Sequence, residues 1–516
     1  MNGAEILLKT AIKAGIEICF TNPGTTELPL VSAFDTIPGI RPILGLFEGC
    51  CTGAADGYGR MTDKPAMTLL HLGPGLGNGI ANLHNARRAR TPVLNVIGEH
   101  ATWHRSADAP LSMDIAMLAE TVSGWQRTST VPQNLSKDTA DAITAALSGK
   151  VATLIVPSDI QCSDSPDKKI HLSKTPDASV DKESIERAAD LLRTDQKAAL
   201  ILGGWALRKR GLVAAARIKV KTGCDLLSER APARMERGAG IPATEFIPYF
   251  PGQALDLLSK YRVVVLACAA EPVTFFGWQG YESRLLNDNQ EICRIKAADK
   301  SLPQALENLA DALGAPGSVD AAAAGFSQVE RPQLPQGTLT AQNACLTLAA
   351  LQPENAIIVN ESITSGAAYF PLGPGLPPHT LLMLPGGAIG YGMPCAVGAA
   401  TACPLRPVIN FQADGSAMYT VQALWMQARK GLDITTLICS NRSYHILNIE
   451  FSRSGIISPG RYAQALTDIS NPAIDWVQIS KGMGVPAVAV DSCEALAKEL
   501  KEALDEPGPH VIEMRI

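Results

Sequence analysis

Short apolar, β-branched runs recur along the chain and alternate with stretches whose apolar residues return at helical spacing. Early in the chain they read PAMTLLHL, PVLNVIGE and ATLIVPS; further on come AALILGG and RVVVLAC, and finally AIIVNES, PVINFQAD and ITTLICSN. Runs that are apolar on both faces suit strands of a parallel sheet covered by helices. Two polar, proline-bearing stretches, at 163–184 and 315–337, break the rhythm and read as linkers. The pattern predicts an α/β protein of three doubly wound parallel-sheet domains, at 1–165, 185–315 and 337–516. Ligand sites are then expected at the carboxyl ends of the strands.

Composition narrows the function classes. A chain of 516 residues exceeds one ordinary core, and 46% apolar with 18% charged residues is a fully folded profile. The net charge of -5, with mixed signs, offers no basic stripe for nucleic acid and no polybasic membrane patch. No long apolar span or secretory leader is read, so a cytoplasmic protein is expected. The 12 cysteines are scattered without a C-x-x-C pair, and even the adjacent Cys50 and Cys51 read as reduced core thiols. In the middle segment Arg208, Arg210, Arg230, Arg234 and Arg237 read as a solvated face rather than an anion site.

The sharpest chemical signal is late in the chain. A strand, PVINFQAD, runs into Asp414-Gly415-Ser416; a helix follows, and a second strand delivers Asn441 27 positions after Asp414. In a right-handed βαβ unit both strands end at the same sheet edge, so the two side chains can converge. A carboxylate and an amide oxygen are hard ligands that suit Mg²⁺, and a glycine turn entering a helix suits an anion.

Residues 413–447 resemble the signature of thiamine diphosphate-dependent enzymes, in the branch of benzoylformate decarboxylase and acetolactate synthase. Ala413 and Ser440 depart from the usual glycine and asparagine, at positions that supply no metal ligand. The resemblance implies Mg²⁺ held by Asp414, Asn441 and the Ser443 carbonyl, with Ser416, Tyr444 and Thr364 near the diphosphate. LPGGAIGYGMPCAVGAA resembles the segment that carries the aminopyrimidine, with Gly387 bonding it and Ile389 wedged beneath the cofactor. FEGCCTGAADGYGR resembles the activating-glutamate motif, which makes Glu48 the group that hydrogen-bonds the pyrimidine and promotes removal of the thiazolium proton.

NPGTTELPL and LLHLGPGLGN follow the same branch and imply Thr25 as a substrate-binding residue and His71 as a proton carrier. The second histidine of dedicated decarboxylases is missing from PVTFFGWQG, where Phe276 or Trp278 would line the pocket instead. The implied activity is decarboxylation or carboligation of small 2-keto acids and aldehydes, in a homodimer or homotetramer whose active sites join Glu48 and Asp414 across a subunit interface. An acetolactate synthase using FAD is the alternative, although residues 185–315 carry no clear flavin signature. A regulatory homologue is disfavoured by the intact Glu48, Asp414 and Asn441, and a nicotinamide dehydrogenase by the absence of a dinucleotide fingerprint.

Overall fold

A computed structural model describes residues 1–166, 180–318, 320 and 324–516; the parts of the two linker stretches at 167–179, 319 and 321–323 lie outside the described residues. The apolar runs form three sheets. The first contains β1 (Ile18–Thr21), β2 (Arg41–Leu44), β3 (Ala66–His71), β4 (Val93–Glu99), β5 (Trp125–Thr128) and β6 (Val151–Pro157), in the order β2-β1-β3-β4-β6-β5. All of its pairings are parallel.

From the middle segment come β7 (Ala198–Leu202), β8 (Asp225–Ser228), β9 (Arg234–Arg237), β10 (Glu245–Phe246), β11 (Val263–Ala267) and β12 (Glu291–Arg294). Five of them form a parallel sheet ordered β10-β8-β7-β11-β12. The third sheet is built from β13 (Ile357–Glu361), β14 (His379–Leu382), β15 (Val408–Ala413), β16 (Ile434–Ser440), β17 (Ala487–Val490) and β18 (Pro509–Arg515), with β9 added at its edge. The order is β17-β18-β16-β15-β13-β14-β9, and only β9 runs antiparallel to its neighbour.

The strand β9 thus stitches the middle segment to the third sheet. Its arginines are not the solvated face the sequence suggested. Arg237 is buried, donates to the Phe370 carbonyl at 2.9 Å, lies over the Phe246 ring, and is pushed down to about 10 by loss of water. Arg234 pairs with Glu236 at 2.9 Å and bonds the carbonyls of Arg60 and Met61.

Seven helices carry the chemically important residues or pack against them: α1 (Glu48–Thr62), α2 (Leu72–Ala89), α3 (Lys209–Thr222), α4 (Gly392–Ala402), the short α5 (Asp414–Ala417), α6 (Ala423–Lys430) and α7 (His445–Arg453). The first and third sheets share one continuous core, in which α1 crosses α4. Small residues set the separation: a Cβ on Gly57 would strike the Cys395 carbonyl, and one on Gly398 would strike that of Ala54. Backbones this close exclude any side chain at the crossing. Arg60, buried near the end of α1, locks it by pairing with Asp56 and donating to the carbonyls of Met383 (2.6 Å) and Ala233 (3.1 Å). Among the described residues no helix is long and apolar enough to cross a membrane.

Gly57→Ala is therefore expected to lower the midpoint of chemical denaturation by an amount worth about 1–3 kcal/mol, the usual range for overpacking. Gly77→Ala, on the exposed side of α2 with nothing within 4 Å, should leave the midpoint unchanged or raise it.

Candidate active site

β15 and β16 are parallel neighbours in register, with Ala413 opposite Cys439, so the turns that follow them lie side by side. Asp414 opens α5 and is 2% exposed. Its carboxylate accepts the N–H of Gly415 at 2.8 Å and that of Arg442 at 2.7 Å. The left-handed backbone of Arg442, at φ 55°, accompanies this return of its N–H to the neighbouring turn. Asn441 accepts from the Ser443 N–H at 3.0 Å, and the Ser443 hydroxyl donates to the Thr467 carbonyl at 3.1 Å. Asp414, Asn441 and Ser443 are thereby brought together, as their spacing in the chain required.

Burial pushes the Asp414 carboxyl above the usual range despite its two N–H donors. Among the described residues no lysine or arginine side chain pairs with it. A buried carboxylate without a cationic side chain, beside an amide and carbonyls, suits a divalent ion with oxygen preference. Around it, the Tyr444 ring covers Gly415 so closely that a Cβ there would lie 2.6 Å from ring carbon Cε1. The Ser416 hydroxyl is engaged within its own turn, accepting from Gln412 at 2.7 Å and donating to Ala413 O at 3.1 Å. Thr364 is half-buried in the turn after β13.

The loop before α4 is held by a residue that sequence reasoning missed. Glu361, at the end of β13 and 1% exposed, accepts the backbone N–H groups of Gly390 (2.6 Å), Tyr391 (3.4 Å) and Gly392 (2.7 Å), and the Gln412 amide at 3.0 Å. Burial raises its carboxyl, while these donors favour the charged form. Gly387 takes φ 74°, which favours glycine, and Ile389 close to it is half-buried.

Glu48 opens α1 and is 9% exposed. Its carboxylate takes the Asn78 amide at 3.0 Å. Asn78, Asn82 and Asn85 form a polar stripe at helical spacing on α2, a pattern present in LGNGIANLHNA but carrying no motif that marks it as functional. Asn82 donates to Gly49 O at 2.9 Å and Gly390 O at 3.3 Å, and Asn85 donates to Ala388 O at 2.8 Å. The stripe ties the start of α1 to the glycine loop.

Thr25, the expected substrate-binding residue, is exposed, and His71 stands at the end of β3. Its Nδ1 lies 2.8 Å from the fully buried Glu27 carboxylate and 3.2 Å from the Thr26 hydroxyl. Glu27 also accepts the Gly24 N–H at 2.8 Å. On the middle segment it is Phe275, rather than Phe276 or Trp278, that reaches Gly387: its ring lies 2.6 Å from where a Cβ would stand. Trp278 donates to Glu450 of α7 at 3.0 Å, and Arg230 lies over the Phe275 and Tyr249 rings.

A flavin fits the middle sheet poorly. Its order reverses between β7 and β11, where a dinucleotide would enter. There a Cβ on Gly203 would stand 2.9 Å from Ala269 Cα and 3.0 Å from a Glu229 carboxylate oxygen, and Glu229 takes the Gly204 N–H at 3.3 Å. Chain and an acidic side chain fill the place a phosphate would need.

Three sheets, a glycine loop and an Asp-Gly turn facing one another define a cofactor-dependent α/β enzyme. Comparison with known proteins gives the family. The N-terminal TPP binding domain of thiamine pyrophosphate enzymes matches residues 1–119, and their C-terminal TPP binding domain matches residues 364–514. The Mycobacterium tuberculosis protein IlvX, provisionally named an acetolactate synthase large subunit, is 48% identical over 100% of this chain and 99% of its own. Benzoylformate decarboxylase of Pseudomonas aeruginosa is 26% identical over 97% of this chain and 96% of its own. The fold matches that of a thiamine diphosphate-dependent 4-hydroxybenzoylformate decarboxylase from Rhodococcus jostii with a TM-score of 0.84, at 23% identity, covering 100% and 99% of the two chains. The chain belongs to the thiamine diphosphate (thiamine pyrophosphate) enzyme family.

Replacing Glu361 by alanine strands three buried N–H groups of the glycine loop, each worth about 1–3 kcal/mol. Glu361→Ala is expected to weaken thiamine diphosphate binding by about tenfold or more, followed by quenching of tryptophan fluorescence.

Proposed function

We propose that the chain uses thiamine diphosphate and Mg²⁺ to decarboxylate a 2-keto acid and join its acyl carbon to a second carbonyl. The observation that carries this reading is the buried, cation-free Asp414 carboxylate bonded to the Arg442 N–H beside Asn441. Asp414, Asn441 and the Ser443 carbonyl would hold Mg²⁺, with Gly415, Ser416, Tyr444 and Thr364 around the diphosphate. Gly387 would meet the pyrimidine through its backbone, and Ile389 would support the bend between the rings. When bound, thiamine diphosphate supplies a nucleophilic carbon that adds to the keto group and a cationic ring that takes up the electrons left as CO₂ departs.

Glu48 is the proton-handling group on the pyrimidine side: buried, bonded by Asn78, and, among the described residues, free of bonds from its carboxylate to the C-terminal loops within its own chain. That leaves its carboxylate to act across a subunit interface, which the exposed apolar side chains of Trp103 (76%), Ile457 (88%), Tyr462 (72%) and Leu466 (77%) favour. His71, oriented by Glu27, would pass a proton to or from the substrate oxygen, with Thr25 at the pocket mouth. With no histidine at 273–278, the reading favours capture by a carbonyl over release of an aldehyde. The filled crevice at Glu229 argues for chemistry without flavin, and the acetolactate synthase name of the 48% identical relative favours ligation of pyruvate.

Protein supplied with thiamine diphosphate and Mg²⁺ should release CO₂ from at least one of pyruvate, 2-oxobutyrate and benzoylformate, and form more hydroxyketone than aldehyde. Glu48→Ala should lower that rate by about a hundredfold or more while still binding the cofactor. Unchanged turnover in Glu48→Ala would refute the assignment. Sedimentation should give a dimer or tetramer; a fully active monomer would contradict the interface.

A further inference from the structure

A second cavity, of about 670 Å³, lies where the three segments of the chain meet, away from the turns after β15 and β16. Its size falls within the range of small-molecule sites. Five cationic side chains line it: Arg208, Lys209, Arg210 and Arg234 from the middle segment, and Arg406 from the C-terminal one. The carboxylates facing them are Asp63, which caps α1, and Glu236.

The pairing leaves charge over. Arg208 reaches Asp63 at 2.9 Å, Arg234 reaches Glu236 at 2.9 Å, and Arg210 grips Glu307 at 2.6 Å. Lys209 has no carboxylate partner among the described residues. Arg406 donates to the Asn355 carbonyl at 2.7 Å and the Thr380 hydroxyl at 2.8 Å, with no carboxylate bonded to it among the described residues. One further donor is orphaned: Nη1 of Arg208 is buried without a hydrogen-bond acceptor, the nearest Glu236 oxygen being 3.9 Å away. Buried guanidinium donors are rarely left unsatisfied, and surplus cations around a recess attract an anion.

We propose that this cavity binds a small polyanion carrying two or more phosphoryl or carboxylate groups, held by Arg208, Lys209 and Arg406 and bridging the middle and C-terminal segments. Recognition is by charge rather than by a stacked base, because the Trp205 ring is already covered by Arg208 at 5.1 Å and Lys300 at 6.0 Å. The site shares no residue with the turns assigned to thiamine diphosphate and stands whether or not that chemistry is as proposed.

The test uses full-length protein saturated with thiamine diphosphate and Mg²⁺, so that the cofactor's own diphosphate site is filled. It is titrated by calorimetry at low ionic strength with fructose 1,6-bisphosphate and, separately, with tricarballylate. At least one probe is expected to bind saturably, one per chain. Affinity should fall by about tenfold or more in Lys209→Glu, a substitution at an exposed position that leaves melting temperature and basal turnover unchanged. Arg208→Gln should weaken binding as well. Binding of the bisphosphate alone identifies a phosphoryl site and of tricarballylate alone a carboxylate site; binding of both identifies charge as sufficient, and each supports the proposal. No saturable binding of either probe at millimolar concentration, or equal affinity in Lys209→Glu, overturns it.

Discussion

The close crossing of α1 and α4 is the contact on which both halves of the site depend. At Gly57 and Gly398 the helices touch through carbonyl groups rather than side chains. Close packing of this kind admits little sliding, because the ridge of one helix has no flexible atoms to yield. Glu48 stands at the first position of α1, and the loop carrying Gly387 and Ile389 leads directly into α4. Fixing the crossing therefore fixes where one chain presents its acidic group and where it presents its glycine loop, each of which would meet the complementary half on a partner subunit in the proposed assembly. The asparagine stripe on α2 makes the same connection in hydrogen bonds.

Polar groups in this region are satisfied in a directional way. Glu361 spends its charge on three consecutive N–H groups, and Asp414 on two, so that loops rather than side chains receive the bonds. A loop tethered by a buried carboxylate loses little entropy when it closes on a cofactor, which is the physical sense in which the site is prepared. Among the described residues, neither carboxylate has a cationic side chain among its hydrogen-bond partners; Asp414 differs from Glu361 in receiving two donors rather than four, and it is the one proposed to hold Mg²⁺.

The strand-turn-helix-strand arrangement around Asp414 and Asn441 was legible in the sequence because parallel βαβ geometry alone brings strand ends together. The sheet class was legible for the same reason, from apolar runs. Glu27 and Glu361 were not, since a carboxylate in an apolar run reads the same whether it meets solvent or three amides from a distant loop. Their partners are 44 positions away in the case of His71 and 29 in that of Gly390. Nor was the transfer of β9 to the third sheet, because four residues with two arginines carry no periodic signal. The helix after Asp414 was read as continuous but breaks after Ala417 and resumes at Ala423, its local spacing overridden by packing against the glycine loop.

The central claim is that Glu48 activates the cofactor held by the Asp414 turn. It is tested most directly by the exchange of the C2 proton of bound thiamine diphosphate with deuterium, followed by quenched-flow and NMR in wild type and in Glu48→Gln. The account predicts exchange slowed by about a hundredfold or more in the variant at full cofactor occupancy. Equal exchange rates in the two proteins would contradict it.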